Sequence, residues 1–598
     1  MALRVPQANG PQLFKEGYKN LQGLEEVIFR NIQATKEMSE LTRTSFGPNG
    51  RNKMVVNHLE KLFVTNDAAT IIRELEVVHP AAKLIVMASQ QQESEAGDGT
   101  NYVVIFASEL LQRAESLLRM GLHPSEIARG YELSLKAALK ALEGLAVAQV
   151  SGWGGDENKG DSELLKAITT AIASKQYGQE AVLGALVVEA VAASMPARDP
   201  SRFNVDNVRV VKVLGGSLSQ SRVEHGMVFP RSPETAVTSV RFGKVAVFAC
   251  PVDMGQTETK GTVLLHSASE MLDYTKGEEA QMARVVTELH EAGVAAVICG
   301  AGVGDLAIHY FNRRGMLALK VPSKFELRRL CRVVGANPLA RLGVPTPEEM
   351  GYCDEIRTTE IGGDRVTIVR QWTTEEIANA GEAAADRPAF ADRIQRSPLV
   401  TVVLRGATQN ALDDAERAVD DGVNVVKALT KDARLVAGAC ATEMELSRLV
   451  HEAADRTAGI SQHAMKAFAQ ALEVFARTMG NNAGVDSTAL VAKLIAAHHQ
   501  KEELQQQQQK AGESTGDSSD EVLVGPSVGV DVDCDFEPRT VDAVARGILD
   551  PLAVKQWGLT YATQAALTVL QVDQIVMAKT AGGPKLPQQK PGHWDEDD

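Results

Sequence analysis

The feature that most constrains the fold is a change of pattern in the middle of the chain. Residues 20–150 and those after about 409 carry apolar residues at helical spacing, whereas residues 217–375 alternate short β-branched runs with helical segments. Strands that alternate with helices indicate an α/β domain built on a shared sheet. The simplest topology is therefore nested: both ends of the chain form one helical domain, and an α/β domain is inserted between them.

Turn and breaker residues divide the helical ends into shorter elements. The stretch "GLEEVIFRNIQATKEMSELTRTSFG" predicts a helix that ends at Gly47-Pro48, and two short strands joined by "NHLEK" follow it. Pro80 predicts a break between two further helices. From residue 400, where the sequence reads "VTVVLRGAT", we expect a return to helix, with one long helix from about Gln409.

Composition excludes several classes of protein. A net charge of −15, from 62 Lys and Arg against 77 Asp and Glu, argues against a general nucleic-acid binder, which needs a basic face. The 6 cysteines include no C-x-x-C pair, which argues against a disulfide scaffold or a zinc module. Neither an apolar secretory signal nor an uninterrupted run of about 18 apolar residues is visible, so we expect a cytosolic protein without a membrane span.

Two segments have the composition of insertions or linkers. Residues 502–520, "EELQQQQQKAGESTGDSSDE", are of low complexity and are predicted to be a disordered insertion. Residues 376–395 are Ala-rich and polar. Neither segment offers enough apolar surface to form a core of its own.

A Gly-Asp-Gly-Thr turn directly precedes a long apolar helix. Gly97 and Gly99 free the backbone for unusual dihedral angles, and a helix N-terminus already attracts anions. Asp98 places a carboxylate where the helix dipole already invites an anion, and one explanation is that it serves a third party, such as a metal ion that is itself bound to phosphate. The turn is not a P-loop, because no G-K-[ST] follows it.

Other chemically suggestive residues have ordinary structural explanations when each is taken alone. Gly47-Pro48 suits a turn between a helix and a strand, and Asp67 in "TNDAAT" suits the N-cap of the next helix. Asp421 belongs to "LDDAERAVDDG", which suits the solvated face of a helix. A functional explanation is favoured over these structural ones only when all of these motifs are considered together, in this order along the chain.

The ordered set of motifs resembles the group II chaperonins, the family of the archaeal thermosome and the eukaryotic cytosolic chaperonin (TRiC/CCT). The resemblance extends over nearly the full chain, and the motifs that carry it are "SFGPNGRNKMV", "VTNDAATIIRELEVVHPAAKLIV", "GDGTN", "VLRGAT", "ERAVDDG", "GILDP" and "VLQVDQIVMAK". It implies a multidomain chaperonin fold with a mainly α-helical equatorial domain, a small α/β intermediate domain and an inserted α/β apical domain with a helical protrusion.

The resemblance also implies domain boundaries. The equatorial ATP-binding domain would comprise 1–151 and 434–598, and the intermediate hinge domain 152–216 and 400–433. The apical substrate-binding domain would be 217–399. Within the apical domain, about 254–279 would form a lid protrusion and 302–316 would face the client protein.

Roles for individual residues follow from the same resemblance. Asp98 would bind Mg²⁺, and Asp67 and Asp421 would position and activate the attacking water, with Asp421 reaching the phosphate only when the domains close. Lys175 would sense the γ-phosphate. The remaining nucleotide-binding positions implied are Gly47, Pro48, Gly99, Thr100, Asn101, Gly438 and Asp550.

The function implied is that of a subunit in a hetero-oligomeric double ring, made with paralogous chaperonin subunits. Such a ring encloses and folds unfolded client proteins such as actin and tubulin, and Mg²⁺ and ATP hydrolysis drive lid closure. Nucleic acid and membrane are not expected partners. A stand-alone metabolic ATPase or kinase is disfavoured because no second substrate pocket with catalytic His, Lys or Cys emerges.

Four positions depart from the family pattern, and the last of them keeps a further alternative open, a structural ring subunit with weak or no ATP turnover. Asn101 replaces a hydroxyl residue, Ala68 a glycine and Asn49 a lysine. The usual triple glycine near 438 reads Gly438-Ala439-Cys440, which adds bulk where the backbone is expected to approach the base.

Overall fold

The computed structural model describes most of the chain. The ranges described are 19–21, 24–57, 59–150, 160–196, 199–253, 267–372, 398–508, 524–533 and 537–577. Residues 376–395, the first half of the predicted lid and most of the low-complexity segment lie outside the described residues.

Helices dominate the first part of the chain. The elements are β1 (Lys19–Leu21), α1 (Leu24–Arg43), β2 (Lys53–Val56), β3 (Leu62–Thr65), α2 (Ala68–Glu74), α3 (Pro80–Ala96), α4 (Thr100–Arg119), α5 (Pro124–Glu143) and β4 (Ala146–Gln149). The predicted hairpin is confirmed, since β2 and β3 pair antiparallel. Pro80 begins α3, where its missing N–H costs nothing. Helix α1 ends at Arg43, so the prediction that it continues to Gly47-Pro48 is wrong by one turn.

The middle of the chain alternates strands and helices as predicted. Its elements are α6 (Gly160–Ala173), α7 (Glu180–Ser194), β5 (Val208–Leu214), β6 (Arg222–Phe229), β7 (Ser239–Phe248), α8 (Ala268–Glu291), β8 (Val294–Cys299), α9 (Asp305–Arg314), β9 (Leu317–Lys320), α10 (Lys324–Val334), β10 (Gly351–Ile361), β11 (Asp364–Arg370) and β12 (Val400–Gly406). Eight of these strands form one mixed sheet in the order β5-β12-β6-β11-β10-β7-β8-β9.

Strand β12 corrects the expectation that the chain returns to helix at residue 400. It pairs parallel with β5 and antiparallel with β6, and nearly all of its residues are buried. A short apolar run without alternation can be either a strand that is buried on both faces or part of a buried helix. Periodicity alone therefore gave the wrong element for β12. The second half of the predicted lid, from Ala268, forms the beginning of α8.

The last part of the chain is again mainly helical. Its elements are α11 (Gln409–Lys431), β13 (Arg434–Ala437), α12 (Ala441–Arg456), α13 (Ser461–Leu472), α14 (Val474–Ala483), α15 (Ser487–Gln508), β14 (Val528–Val530), β15 (Thr540–Asp542), β16 (Leu549–Pro551), α16 (Leu552–Leu570) and β17 (Ile575–Met577). Helix α15 extends to Gln508, so residues 502–508 are helical and do not belong to an irregular insertion.

One hydrophobic core joins the two helical ends. Phe106 on α4 packs edge-on against Phe468 on α13, with 5.3 Å between ring centroids, and Phe468 also contacts Tyr131 on α5. All three side chains are fully buried. Burying one phenylalanine contributes about 1.5–3 kcal/mol, so contacts between residues more than 300 positions apart hold the two ends together.

A second and smaller core lies between the helical part and the large sheet. Helices α6, α7 and α11 pack on one another, and their apolar residues contact those of β12. A small sheet in the order β16-β13-β4 lies next to this core and joins strands from both ends of the chain. This arrangement brings α11 and the loop after α6 against the turn that precedes α4.

Candidate active site

A cavity of about 340 Å³ lies where these segments meet. Its walls come from the loop after α1, the start of α4, the loop after α6, the turn before α12 and the start of α16. The predicted site residues that line it are Gly47, Pro48, Asp98, Gly99, Thr100, Asn101, Lys175 and Asp550. Folding therefore brings together most of the residues that the sequence singled out.

The Gly-Asp-Gly-Thr turn has the backbone geometry that only glycine adopts easily. Gly97 and Gly99 have φ angles of 73° and 80°, in the left-handed region. A Cβ on Gly97 would lie 2.1 Å from the Cβ of Asn424, so the missing side chain also allows α11 to approach the turn. Gly99 is the N-cap of α4 and provides no side-chain cap. The first turn of α4 is thus suited to bind an anion.

Asp98 is held in place by its own turn and by Gln92. Its Oδ1 accepts a hydrogen bond from the amide of Gly99 at 2.7 Å. Gln92, which is fully buried, donates through Nε2 to the carbonyl oxygens of Asp98 at 2.9 Å and Val554 at 3.2 Å. Burial raises the pKa of Asp98, and the charge of Lys175 offsets only part of this rise.

The single carboxylate of Asp98 suits Mg²⁺, which can take its other ligands from phosphate and water. It does not suit a metal ion that is bound only by protein side chains. Within the described ranges, no group of three or more His, Cys, Asp or Glu residues is placed to hold a metal ion. Mg²⁺ is commonly held by one or two carboxylates together with phosphate oxygens and waters. A partly buried carboxylate with a raised pKa lacks compensating charge, and a divalent cation beside the first turn of α4 would supply it.

Lys175 joins the other two acids of the site. Its Nζ donates to Asp67 Oδ1 at 2.7 Å and lies 3.3 Å from Asp421 Oδ2, and all three side chains are largely buried. Asp67 is also the N-cap of α2, as its local sequence suggested, since its carboxylate accepts from the amide and hydroxyl of Thr70. The structural and functional explanations of Asp67 are therefore compatible.

Burial and the charges of the neighbouring groups act in opposite directions on the pKa values of these three residues. Burial by itself raises the pKa of Asp67, but the charge and hydrogen bond of Lys175 hold it well below its usual range. Burial raises the pKa of Asp421 well above its usual range, and Lys175 compensates only in part. Burial lowers the pKa of Lys175, but the nearby carboxylates more than reverse this effect, so the ammonium stays charged.

The loop that carries Lys175 is fixed at two more points. Asn66 donates through Nδ2 to the carbonyl oxygens of Ser174 and Lys175, at 3.4 and 3.1 Å. Two residues further on, the Tyr177 hydroxyl donates to Asp533 Oδ1 beside the cavity. A single short loop thus contacts both the acid cluster and the loop after β14.

Gly438 does not line the cavity, and the two residues after it do. Its amide donates to the carbonyl of Ile548 at 2.9 Å. Ala439 and Cys440 have φ angles of 51° and 62°, in the left-handed region that glycine favours. Gly529 makes room for this turn, because a Cβ there would lie 2.6 Å from the Ala439 carbonyl oxygen.

Sequence reasoning missed several residues of the cavity wall. They include Tyr102, Tyr177, Glu443, Asp531, Asp533 and Lys555. Glu443 and Lys555 lie in the first turns of α12 and α16, where a charged residue is usually solvated. The only available signal was their closeness in sequence to Cys440 and Asp550.

The model of the TCP-1/cpn60 chaperonin family matches residues 38–580. The chain belongs to this family. Known chaperonins of similar sequence include "Probable T-complex protein 1 subunit theta" of Schizosaccharomyces pombe at 52% identity, and T-complex protein 1 subunit theta of Saccharomyces cerevisiae at 47% and of Homo sapiens at 45%, each over 100% of both chains. These results confirm the chaperonin resemblance. Motifs such as "QTETKGTVLLHSASEM" and "PEEMGYCDEI" indicate similarity to the theta subunit in particular.

The helices described for this chaperonin include none that is both long and apolar enough to cross a membrane. The family's mixed helix and sheet content agrees with the fold.

Proposed function

We propose that this chain is an ATP-hydrolysing subunit of a hetero-oligomeric double-ring chaperonin. The ring would enclose and fold unfolded cytosolic proteins, actin and tubulin among them, with Mg-ATP hydrolysis driving lid closure. The observation that carries the proposal is the arrangement of Asp67, Asp98 and Asp421 around Lys175, next to a cavity that begins at an uncapped helix N-terminus.

Each group has a role that its surroundings support. The first-turn amides of α4 would bind phosphate oxygens, and Asp98 would hold Mg²⁺, which would supply positive charge to neutralise them. Asp67 and Asp421 orient the attacking water. Phosphoryl transfer to water needs positioning and charge compensation rather than covalent chemistry from the protein, and these residues provide both.

Lys175 links phosphate binding to the water-positioning acids. Its ammonium contacts both Asp67 and Asp421, so a γ-phosphate that attracts it competes with these two carboxylates. Asp421, once the ammonium moves away from it, is then free to accept a hydrogen bond from the attacking water and to orient it. Hydrolysis is in this way coupled to the position of α11, which belongs to the proposed hinge.

The assembly is part of the same proposal. Paralogous subunits complete the ring in the cytoplasm, unfolded clients bind the apical domain, and neither nucleic acid nor membrane takes part. The domain boundaries are those implied by the motifs: equatorial 1–151 and 434–598, intermediate 152–216 and 400–433, apical 217–399. The lid at about 254–279 closes after ATP binds. Proteolysis within it is expected to slow when ATP and a transition-state phosphate mimic are added.

A native mass measurement with subunit composition, followed by single-turnover hydrolysis in the purified complex, tests the proposal. A ring subunit runs on the order of a megadalton with its paralogues, as a closed double ring requires. A stand-alone kinase runs near the monomer mass of 64.2 kDa. A monomer of that mass, or a complex in which this chain neither binds nor hydrolyses ATP, contradicts the proposal.

One observation favours a second candidate, a structural ring subunit with weak or no ATP turnover. Ala439 and Cys440 line the cavity and have a backbone conformation that suits glycine. They therefore place two side chains at the cavity wall where glycines would place none. Photolabelling of this chain by 8-azido-ATP in the intact complex distinguishes the two. Labelling without release of phosphate from this site supports the structural role.

A further inference from the structure

A contact at the rim of the cavity joins the loop after α6 to the loop after β14. The hydroxyl of Tyr177 donates to Asp533 Oδ1, and the two residues are 356 positions apart in the sequence. Both residues line the cavity. Tyr177 is 49% exposed and the side chain of Asp533 is 53% exposed, so the contact lies where the cavity opens to solvent and not at its buried end.

The loop after β14 is held in place on its own side of the cavity. Arg546 Nη1 lies 3.3 Å from Asp533 Oδ2 and 3.7 Å from Asp531 Oδ1. The amide of Asp533 donates to Asp531 Oδ1 at 3.1 Å. From the loop after α1, Asn49 donates through Nδ2 to the carbonyl oxygen of Val532 at 3.4 Å. The carboxylate of Asp533 is therefore an acceptor whose position at the rim is set by several neighbours.

The loop after α6 supplies the partner that can move. Lys175 lies two residues before Tyr177, and its ammonium contacts Asp67 and Asp421. The residue after Tyr177 is Gly178, which has a φ of 86° and no atom within 4 Å of the place where a Cβ would lie. A short segment that ends at an unpacked glycine can turn when a neighbouring side chain shifts. A displacement of Lys175 would therefore change the position of the Tyr177 hydroxyl.

Tyr177 is a hydrogen-bond donor at neutral pH. The hydrogen bond to Asp533 and, after it, burial raise the pKa of Tyr177 to about 12, so the hydroxyl keeps its proton. Because both side chains are half exposed, solvent screens the contact and its contribution is modest. The contact can therefore open without the unfolding of either loop.

We infer that Tyr177 and Asp533 form a gate at the rim of the nucleotide cavity, and that this gate must open each time a nucleotide enters or leaves. The inference rests on the proposed function, because it requires a nucleotide in this cavity. A gate changes the rates of entry and release alike, since the same contact must break in both directions. A residue that only binds the nucleotide changes the rate of release and leaves the rate of entry as it was.

Photolabelling of this chain by 8-azido-ADP with Mg²⁺ in the intact complex measures both rates. Ultraviolet flashes at timed intervals after mixing give the rate of entry, and flashes during a chase with excess ADP give the rate of release. The variants are Tyr177→Phe, which removes only the hydroxyl, Asp533→Ala, and the two together. Tyr310→Phe is the matched control, because the Tyr310 hydroxyl on α9 donates to a carboxylate oxygen, Glu279 Oε1, at 3.0 Å and lies outside the cavity.

We expect Tyr177→Phe to raise the rates of entry and release by about fivefold each, as the loss of one hydrogen bond allows, and to change the dissociation constant by less than about twofold. Tyr310→Phe should match the wild type. In the Asp533→Ala background, Tyr177→Phe should have no further effect, because both changes break the same contact.

Unchanged rates in Tyr177→Phe, or a rise in the rate of release alone, overturn the inference and leave the proposed function standing. Additive effects of Tyr177→Phe and Asp533→Ala also overturn it, since they would show that the two residues act separately. A wild-type chain that does not label at all overturns the proposed function as well.

Discussion

Lys175 and Asp421 form an ion pair between two segments that are far apart in sequence, with 3.3 Å between Nζ and Oδ2. The same ammonium donates to Asp67 at 2.7 Å. One cation thus connects the loop after α6, the N-cap of α2 and the middle of α11. Any movement of α11 relative to α2 must change this group, so the proposed hinge motion would act on the proposed hydrolysis at this point.

Asp421→Ala is expected to permit ATP binding and to slow turnover at this site by about 10²–10⁴-fold, the usual effect of removing a group that takes a proton from water. Single-turnover hydrolysis by this subunit in the assembled complex measures it. Asp420→Ala, the adjacent exposed acid on α11, is the control and should leave the rate near wild type. An unchanged rate in Asp421→Ala contradicts the assigned role.

Asp98→Ala is expected to weaken binding of the magnesium–nucleotide complex itself. The carboxylate is partly buried beside an uncapped helix N-terminus, and its removal takes away the hard oxygen ligand that the cation would use. Nucleotide affinity titrated against Mg²⁺ measures the effect. Glu115→Ala, near the other end of α4, serves as control. Equal magnesium dependence in Asp98→Ala and wild type would refute the metal-binding role.

Ala439→Gly is expected to stabilise the turn before α12 by about 1 kcal/mol, because the φ of 51° strains a residue with a Cβ. Ala441→Gly, two residues later at the first position of α12, provides a control of opposite sign and should destabilise by about 1 kcal/mol. Hydrogen exchange of the α12 amides in the complex measures both. Destabilisation by Ala439→Gly would show that the turn is not strained.

Glu445→Gln is expected to reduce local stability by about 3 kcal/mol at neutral pH. Burial raises the pKa of Glu445, but hydrogen bonds from His498 at 2.8 Å and Arg448 at 2.7 Å lower it to about 2, from 4.5. Because the folded pKa is depressed, this stabilisation is complete above pH 4.5 and is lost only as the pH falls toward 2.

The loss in Glu445→Gln is measured by hydrogen exchange of the α12 amides at neutral pH. Glu452→Gln is the control on the same helix. Its side chain is 33% exposed and also pairs with Arg448, so its loss should stay below about 1 kcal/mol. A loss in Glu445→Gln no larger than that in Glu452→Gln would mean that the buried network adds no stability of its own.

Much of the local structure could be predicted from the sequence, because it depends on neighbours along the chain. Pro80 marked the start of a helix, and "NHLEK" marked a hairpin. Asp67 was predicted as an N-cap and is one. The exception, β12, arose because the strands that pair with it, β5 and β6, and the apolar side chains that cover its faces belong to other elements, and an isolated apolar run contains no sign of them.

The composition of the candidate site was only partly accessible from the sequence. The ordered motifs identified the family and named Asp98 and Lys175, but nothing in the local pattern indicated that Gln92 or Lys555 would face the same cavity. Each of these side chains is an ordinary polar residue on a helix until packing buries it. Burial then makes a partner necessary, since an unpaired buried charge or amide is costly.

By itself, the sequence determined the family, the nested order of helical and α/β segments and the positions of most turns, because periodicity, glycine and proline act over a few residues. Only the tertiary structure decided that Lys175 lies between Asp67 and Asp421, and that Lys555 holds Asp550. These pairs join residues from about 110 to 250 positions apart or cross from a strand to a helix. Such contacts form because two distant core clusters pack against each other and exclude water from the charges between them.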